Sequence, residues 1–470
     1  MIGRSSMRAI KRYRWQELGL FIIPFMILLL EMTQLLLARS LRTGVVQTSS
    51  LTVKNLPTIQ GLIPVLGLLA VLLGINVVLS FTFPKADQVL LPLVGLLSGI
   101  GVLMATRLGP NLLPNPDPAL GSRQLLWVIL GLMVFLITLL SLRNMNWLRR
   151  YKYTWALLGI IMVGITLAHS LRSNLNSPTH DQLNIGPLNL QPSELLKIFL
   201  VIFFAAYLSE NIDIVSGGNL RIGPLRLPPF RQLGPLALML GLALLLFLGI
   251  RELGLALLIY GIFLVMIYLG SGKMSYVIGS LLIFFVLGFI GYTLFGYVRA
   301  RFAVVTFNVV DSQHWSAADD YFAQNAGLQI VQGLIALSSG GIIGTGIGLG
   351  HPTFVPVVQS DMIFTAFGEE LGLAGLFAII GIYLLIIYRG YRIAIAARDS
   401  FNQLLAAGLT SIFAIQTLII TAGNMKFLPL TGIPLPFLSY GGSSIIANYI
   451  IIGILLRISH NTAMAREGLA

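Results

Sequence analysis

The stretch "QPSELLKIFLVIFFAAYL" (residues 191–208) joins a polar start to an uncharged apolar run, and runs of this kind decide the fold class. A helix needs about 20 apolar residues to cross a bilayer. Twelve such runs recur along the 470 residues. They cover residues 18–38, 61–83, 89–106, 124–142, 153–171, 193–209, 234–250, 254–270, 276–298, 372–388, 403–422 and 441–457. The sequence therefore predicts an all-α polytopic membrane protein with about 12 transmembrane helices.

The overall composition favours the same class. Hydrophobic residues make up 56% of the chain and charged residues only 10%, whereas soluble domains have about 25% charged residues. Barrel strands would alternate polar and apolar residues at period two, and these runs are continuous. The absence of cysteine excludes disulfides, thiolate metal sites and thiol catalysis.

The net charge of +13 has a topological explanation. Basic clusters such as those in 143–152 and 388–398 fall in connections that the predicted topology places on the cytoplasmic side, as the positive-inside rule requires. This pattern places both termini in the cytoplasm and disfavours nucleic-acid binding. The first apolar run is too long for a signal peptide, so we expect an uncleaved first span.

The longest external segment, residues 299–361, is the expected place for function. It contains "GLQIVQGLIALSSGGIIGTGIGLG" (327–350), whose apolar part is too short to span and is predicted as a re-entrant or interfacial helix. The glycines that follow predict a tight turn with close backbone approach. A nucleotide phosphate loop is disfavoured, because the Lys-Ser/Thr ending is missing.

Glu194 and Lys197 stand three residues apart at the start of a span and so share a helix face. A charge inside a bilayer is costly and needs a partner or an aqueous cavity. Two interpretations follow: a mutually satisfied structural pair, or the lining of an outward-facing polar cavity that holds a charged ligand. Pro192 suits a first helical turn, Ser193 is expected to cap it, and the helix N-terminus would favour an anion.

The external segment also carries three carboxylates, Asp311, Asp319 and Asp320, with His314 nearby. Such residues could bind a metal, act in catalysis or simply stay solvated. Arg299 and Arg301, at the start of the segment, could snorkel to the interface or hold a phosphate.

Three motifs resemble the SEDS family of shape, elongation, division and sporulation proteins, the RodA, FtsW and SpoVE group. They are "QPSELLK" (191–197), "SDMIFTAFGEELG" (360–372) and "PLTGIPLPFLSYGGSS" (429–444), in the family's order. The sequence around "GEELGLAGL" (368–376) favours the RodA-like branch. The resemblance implies an N-terminal tail and two additional helices in 1–88, a ten-helix SEDS core in 89–458 with the large external loop 299–361, and a cytoplasmic tail in 459–470.

The resemblance implies a peptidoglycan glycosyltransferase in the cytoplasmic (inner) membrane of a bacterium, acting in cell-wall elongation or division. Such an enzyme polymerises lipid II, the undecaprenyl-linked disaccharide-peptide, at the outer face. Its implied partners are a class B penicillin-binding protein and membrane lipids, with no nucleic acid. The expected reaction is an inverting single displacement with a loop aspartate as general base. The alternatives are a lipid II flippase and a non-catalytic scaffold for a penicillin-binding protein.

The family's catalytic aspartate precedes a segment that "GLQIVQ" (327–332) matches here, but "DSQHWSAADDYFAQNAG" (311–327) lacks the usual Asp-Pro. Asp320 or Asp319 is therefore the expected base, with Asp311 left open. The resemblance implies no certain cofactor, leaves a divalent cation (Mg²⁺ or Mn²⁺) open, and assigns no metal ligand. The expected substrate-binding residues are Gln191, Glu194, Lys197, Arg299, Arg301, Gln329, Asp361, Glu370 and Ser443.

Overall fold

The computed structural model describes residues 13–42, 59–173, 183–185, 188–211, 220–222, 225–227, 230–309 and 314–468. These residues are mostly helical. The helices are α1 (Trp15–Arg42), α2 (Ile59–Thr82), α3 (Leu90–Leu108), α4 (Leu120–Ser141), α5 (Asn146–Arg150), α6 (Lys152–Ser173), α7 (Ser193–Glu210), α8 (Phe230–Gly249), α9 (Leu253–Ser271), α10 (Met274–Leu294), α11 (Gly296–Thr306), α12 (Ala317–Gln324), α13 (Leu328–Gly340), α14 (Ile363–Ala396), α15 (Ser400–Asn424) and α16 (Gly442–Arg466).

Two small antiparallel hairpins stand beside the helices. In the first, β1 (Leu183–Ile185) pairs with β2 (Leu188–Leu190). In the second, β3 (Leu220–Ile222) pairs with β4 (Leu225–Leu227). Along the chain, the first hairpin lies in the connection between α6 and α7, and the second lies in the connection between α7 and α8.

Ten helices in the described part of the chain are long and apolar enough to cross a membrane, so the predicted all-α polytopic fold is confirmed. The other two predicted spans are also helical. α7 has 18 residues but carries three charges, and α8 has a shorter apolar part, Gly234–Gly249. Large apolar side chains remain exposed on many of these helices, as lipid contact requires.

The chain divides into two compact units. The first comprises residues 1–141, 331–389 and 434–470. In it α1 packs on α2 and α3, and α4 packs on α3 and α16. Gly99 on α3 permits the contact with α1, because a Cβ there would lie 2.3 Å from the Leu28 side chain. Nearly all residues of α3 are buried.

A buried polar cluster, here called the Arg14 cluster, fixes the start of α1. Arg14 is fully buried, and its Nε lies 2.5 Å from Glu17 Oε2. Its Nη1 donates to the carbonyl oxygens of Phe83 and Ala86, each at 3.0 Å. Asn76 on α2 donates to the same Glu17 carboxylate at 2.7 Å. These bonds tie the start of α1 to α2 and to the segment that leads into α3.

The second unit comprises residues 142–330 and 390–433. α7 is its buried centre and packs against α6, α15 and α9. α10 packs against α9, α11 and β4, and Tyr276 is the one buried residue of this helix. In a bilayer such a helix is surrounded largely by lipid.

The glycine-rich segment, residues 341–350, belongs to the first unit and follows the short helix α13. Its backbone pairs with a break in α14, where Gly372 has φ 67°. Thr345 N donates to Glu369 O at 2.9 Å, and Ala374 N donates to Ile342 O at 3.0 Å. A Cβ on Gly344 would lie 2.3 Å from Glu370 O. The predicted tight turn with close backbone approach is confirmed, and α13 has only 13 residues, consistent with a non-spanning helix.

Candidate active site

Glu194 and Lys197 are in direct contact on α7. Both side chains are fully buried, and Lys197 Nζ donates to Glu194 Oε2 at 2.5 Å. The same ammonium donates to Gln416 Oε1 on α15 at 3.0 Å. The predicted shared helix face is confirmed. The two opposite charges compensate each other in a region where an isolated charge would be costly.

Three polar atoms on α7 and α15 are buried without a hydrogen-bond partner: Ser193 Oγ and Glu194 Oε1 at the start of α7, and Thr417 Oγ1 directly after Gln416 on α15. The sequence predicted that Ser193 caps α7, and this prediction is wrong. Pro192 occupies the N-cap position, and Ser193 is the first helical residue, with no side-chain cap bond. Buried polar atoms usually have partners, so each of these oxygens is an unused hydrogen-bonding group beside the Glu194–Lys197–Gln416 contact or next to it in sequence.

The two candidate bases lie on α12, within the predicted external loop, and their surroundings differ. Asp319 is the third helical residue and forms a capping box with Ser316. Ser316 N and Oγ donate to Asp319 Oδ2 at 3.0 and 2.7 Å. These hydrogen bonds stabilise the carboxylate and lower the pKa of Asp319 below its ordinary value. Asp319 thus has a structural task at the helix start.

Asp320 follows directly and is exposed. Its backbone N–H donates to Ser316 O at 3.0 Å, while its carboxylate has no hydrogen bond or ion pair within the described part of the chain. Asp311 lies outside the described residues. Of the two aspartates on α12, Asp320 is the one whose carboxylate is available to a substrate.

The predicted external segment carries its first cations on α11. Arg299 is exposed, and Arg301 donates from Nη1 to Leu430 O at 2.5 Å. A further cation, Lys426, stands just after α15 and donates to Phe307 O. Desolvation by burial lowers the pKa of Lys426. Arg299 is therefore the predicted cation with the most accessible guanidinium.

Three predicted residues belong to the first unit: Asp361, Glu370 and Ser443. Glu370 is buried and pairs with Arg107, whose Nε lies 2.9 Å from Glu370 Oε1. Arg107 Nη2 also donates to Gly350 O at 2.8 Å. Asp361 is partly exposed and accepts a hydrogen bond from Ser360 Oγ at 3.2 Å. Ser443 is partly exposed in the first turn of α16.

Gln191 and Gln329 are the remaining predicted residues. Gln191 is partly exposed just before α7, and its carbonyl accepts from Glu194 N at 3.1 Å. Gln329 is partly exposed in the first turn of α13. Among the described residues, no group of three or more His, Cys, Asp or Glu side chains could hold a metal ion.

Sequence reasoning missed two residues that complete these contacts, Arg107 and Gln416. Arg107 directly follows the apolar run 89–106, and Gln416 lies inside the run 403–422. Polar residues at such positions are expected to face protein rather than lipid. That signal was available, although it could not identify their partners, which lie 263 and 219 residues away in the chain.

The comparisons with known proteins agree on one family. The profile of the FtsW/RodA/SpoVE family, described as cell cycle proteins, matches residues 88–464. The peptidoglycan glycosyltransferase RodA of Mycobacterium tuberculosis (strain ATCC 25618 / H37Rv) is 38% identical over 383 residues, which cover 80% of this chain and 78% of the relative. The probable peptidoglycan glycosyltransferase FtsW of Trichlorobacter lovleyi is 28% identical, with 82% and 96% covered.

Solved structures share the fold. One chain comes from a peptidoglycan synthase complex studied for the coordination of polymerization and crosslinking; it has a TM-score of 0.62 and 22% identity, with 80% of this chain and 98% of that chain covered. The rod shape determining protein RodA of Thermus thermophilus has a TM-score of 0.54 and 21% identity, with 80% and 97% covered. The resemblance drawn from the three motifs is confirmed, and the chain belongs to the FtsW/RodA/SpoVE family as a RodA-like member.

Proposed function

We propose that this chain is a peptidoglycan glycosyltransferase that polymerises lipid II into glycan strands at the outer face of the bacterial cytoplasmic membrane. The reaction class rests on the relative that is named for this activity and is 38% identical over 80% of the chain. The mechanism rests on one structural observation: α12 presents an exposed carboxylate, Asp320, beside a carboxylate engaged in helix capping, Asp319.

Asp320 is the proposed general base. It accepts the proton of the acceptor sugar's 4-hydroxyl while that oxygen bonds to the anomeric carbon of a lipid-linked sugar. The bond from the anomeric carbon to the diphosphate oxygen breaks, and the diphosphate leaves with the bonding electrons. A single displacement inverts the anomeric configuration. A positioned base of this kind contributes about 10²–10⁴-fold to the rate.

The departing diphosphate needs positive charge. Arg299 is the proposed contact, because its guanidinium is exposed at the start of the external segment and planar guanidinium groups bind phosphate oxygens in pairs. Arg301 is a second proposed contact that is already held by Leu430 O. Lys197 is less suited to this task, since Glu194 compensates its charge.

Glu194 and Lys197 remain proposed substrate contacts with a different role. Glu194 Oε1 and the Ser193 hydroxyl are buried and have no hydrogen-bond partner within the described part of the chain. Lysine has three N–H donors, and two of those on Lys197 are used. Such a mixed set suits the hydroxyl and amide groups of a sugar. Gln191, Gln329, Asp361, Glu370 and Ser443 stay in the proposed substrate-binding set on the strength of the family motifs.

The proposed orientation places both termini in the cytoplasm and α12 outside. It is supported by contacts in the first unit that join the connection between α2 and α3 to the start of α1, to α14 and to the residue after α16. Lys85 pairs with Glu467 at 2.6 Å, and Arg389 pairs with Asp87 beside the Arg14 cluster. A class B penicillin-binding protein is the proposed partner, since a structural neighbour was solved as a peptidoglycan synthase complex.

The test is polymerisation by the purified chain, with and without its partner, using labelled lipid II and gel separation of the products. A glycan ladder supports the proposal. A flippase would move lipid II across a vesicle membrane without forming polymer, and a scaffold would do neither, so either pattern would overturn it.

A further inference from the structure

A groove of about 550 Å³ lies in the first unit between α1 and the glycine-rich segment. α1 precedes residue 88, where the family match begins, so one wall of the groove lies outside the matched residues and the opposite wall lies within them. Its lining residues are Ile23, Met26, Ile27, Leu30, Glu31 and Gln34 on α1, with Ile343, Gly346, Ile347, Glu370 and Leu371 opposite.

Most of the lining is apolar and faces outward. Ile23 is 68% exposed, Met26 65% and Ile343 85%. Both walls of the groove therefore suit hydrocarbon, and a lipid chain can lie along α1 without exposing these side chains to water.

Two carboxylates interrupt the apolar lining. Glu31 lies within the predicted first span, is partly buried, and has no hydrogen bond or ion pair within the described part of the chain. Glu370 is nearly fully buried, and Arg107 binds its Oε1. The amide of Gly348 also faces this carboxylate, yet Glu370 Oε2 has no hydrogen-bond partner.

The two carboxylates of the groove differ in their partners. Arg107 pairs with Glu370, whereas Glu31 is a carboxylate without a hydrogen bond or ion pair within the described part of the chain. Groups of this kind are costly inside a bilayer. The complementary ligand group is a cation that donates hydrogen bonds, attached to a hydrocarbon chain.

We propose that the groove binds a membrane aminophospholipid, whose primary ammonium donates hydrogen bonds to Glu31 while one acyl chain lies along α1. Because Gly346 lines the groove and its N–H donates to Glu370 O at 3.0 Å, the bound lipid also contacts the glycine-rich segment. The proposed ligand contact, Glu31, is not part of the proposed substrate-binding set.

The test uses the purified full chain with phosphatidylethanolamine and phosphatidylcholine of identical acyl chains. Phosphatidylcholine keeps the positive charge but has no N–H donor, so it is the matched ligand control. Phosphatidylethanolamine is expected to be retained in native mass spectrometry and to raise the unfolding temperature on titration. Glu31→Gln should weaken its binding about tenfold or more, since charge-assisted hydrogen bonds are lost.

A second pair of variants tests the groove without changing a charge. Met26→Trp should fill the groove and abolish lipid retention. Ile22→Trp places the same bulk on an exposed residue of α1 that does not line the groove, and should leave retention unchanged. Equal binding of both phospholipids, unchanged binding after Glu31→Gln, or displacement of the phospholipid by a polyprenyl diphosphate would overturn the proposal.

Discussion

Asp319 and Asp320 are neighbours in sequence, but a side chain three residues before Asp319 separates their roles. Ser316 donates to the Asp319 carboxylate and lowers its pKa. Because the pKa of Asp319 is lower in the folded protein, its carboxylate stabilises the start of the helix at pH values above the pKa of an unfolded aspartate. That stabilisation is lost as the pH falls through the lowered pKa. The carboxylate is also a weaker base.

Ser316→Ala tests this assignment through the pH dependence of polymerisation. The substitution should return the pKa of Asp319 upward toward its ordinary value. With Asp320 as the base, the acid limb of the pH–rate curve should stay where it is in the unaltered protein. A shift of that limb to higher pH would instead identify Asp319 as the base.

The buried Glu194–Lys197 pair yields a stability prediction. Lys197→Met leaves a buried carboxylate without its cation and should reduce the free energy of unfolding by about 3–5 kcal/mol. Adding Glu194→Gln should restore most of that loss. Lys85→Met is the matched control in a pair with both side chains 44% exposed, where about 0–1 kcal/mol is expected.

Denaturant unfolding in detergent measures all of these variants. A Lys197→Met protein as stable as the unaltered chain would show that the pair does not contribute to the fold. Loss of polymerisation in the double variant, despite recovered stability, would support the proposed substrate contact.

At this scale the sequence predicted local relations and missed distant ones. The three-residue spacing of Glu194 and Lys197 is sufficient to place them on one face of α7. Nothing local indicates that Gln416 completes the contact, because that partner is brought in by the packing of α15. The choice between Asp319 and Asp320 also needed coordinates, since it depends on where α12 begins.

Among the elements, the glycine-rich segment depends on two separate properties of glycine. Gly341 and Gly344 both have positive φ, 54° and 91°. A Cβ on Gly341 would meet nothing within 4 Å, whereas one on Gly344 would lie 2.3 Å from Glu370 O. The first glycine is needed for its backbone conformation, and the second also for the close approach to α14.

Gly341→Ala should therefore cost about 1–2 kcal/mol of stability, the usual penalty for a left-handed alanine. Gly344→Ala should cost clearly more, because the α14 backbone must move. Thermal unfolding of the two purified proteins compares them directly. Equal melting temperatures would contradict the backbone contact described here.

The elements were largely predictable, and the interruptions were not. Each of the twelve apolar runs lies mainly in a helix, because lipid leaves the backbone no other way to satisfy its hydrogen bonds outside a barrel. The break at Gly372 lies inside the motif "GEELG", and only the paired glycine-rich segment explains it. The start of α7 differs from expectation because Pro192 takes the cap position assigned to Ser193.

For the whole molecule, the proposed orientation gives a labelling prediction that the chain itself makes simple, because it has no cysteine. Ala317→Cys on α12 and Arg398→Cys before α15 both introduce a thiol at an exposed position. In intact cells, a membrane-impermeant maleimide should label the first protein and reach the second only after lysis. Labelling in the reverse order would place α12 on the cytoplasmic side, and Asp320 could then not act in glycan synthesis at the outer face.

The start of α1 lies before residue 88, where the family match begins, and a buried arginine directly precedes it. Arg14 is fully buried and bonded to Glu17 and to carbonyl oxygens after α2. Arg14 precedes the first predicted apolar run, residues 18–38, and so falls in the predicted N-terminal tail. Its burial depends on α2 and on the residues before α3, which no local pattern indicates.

The most direct test of the central claim compares Asp320→Asn with Asp319→Asn in purified protein supplied with lipid II. Asparagine at 319 can still accept the hydrogen bonds of Ser316, so it should leave polymerisation within a few-fold of the unaltered chain. Asparagine at 320 removes the base and should reduce the rate of glycan formation by about 10²–10⁴-fold. Normal polymer from the Asp320→Asn protein would contradict the account.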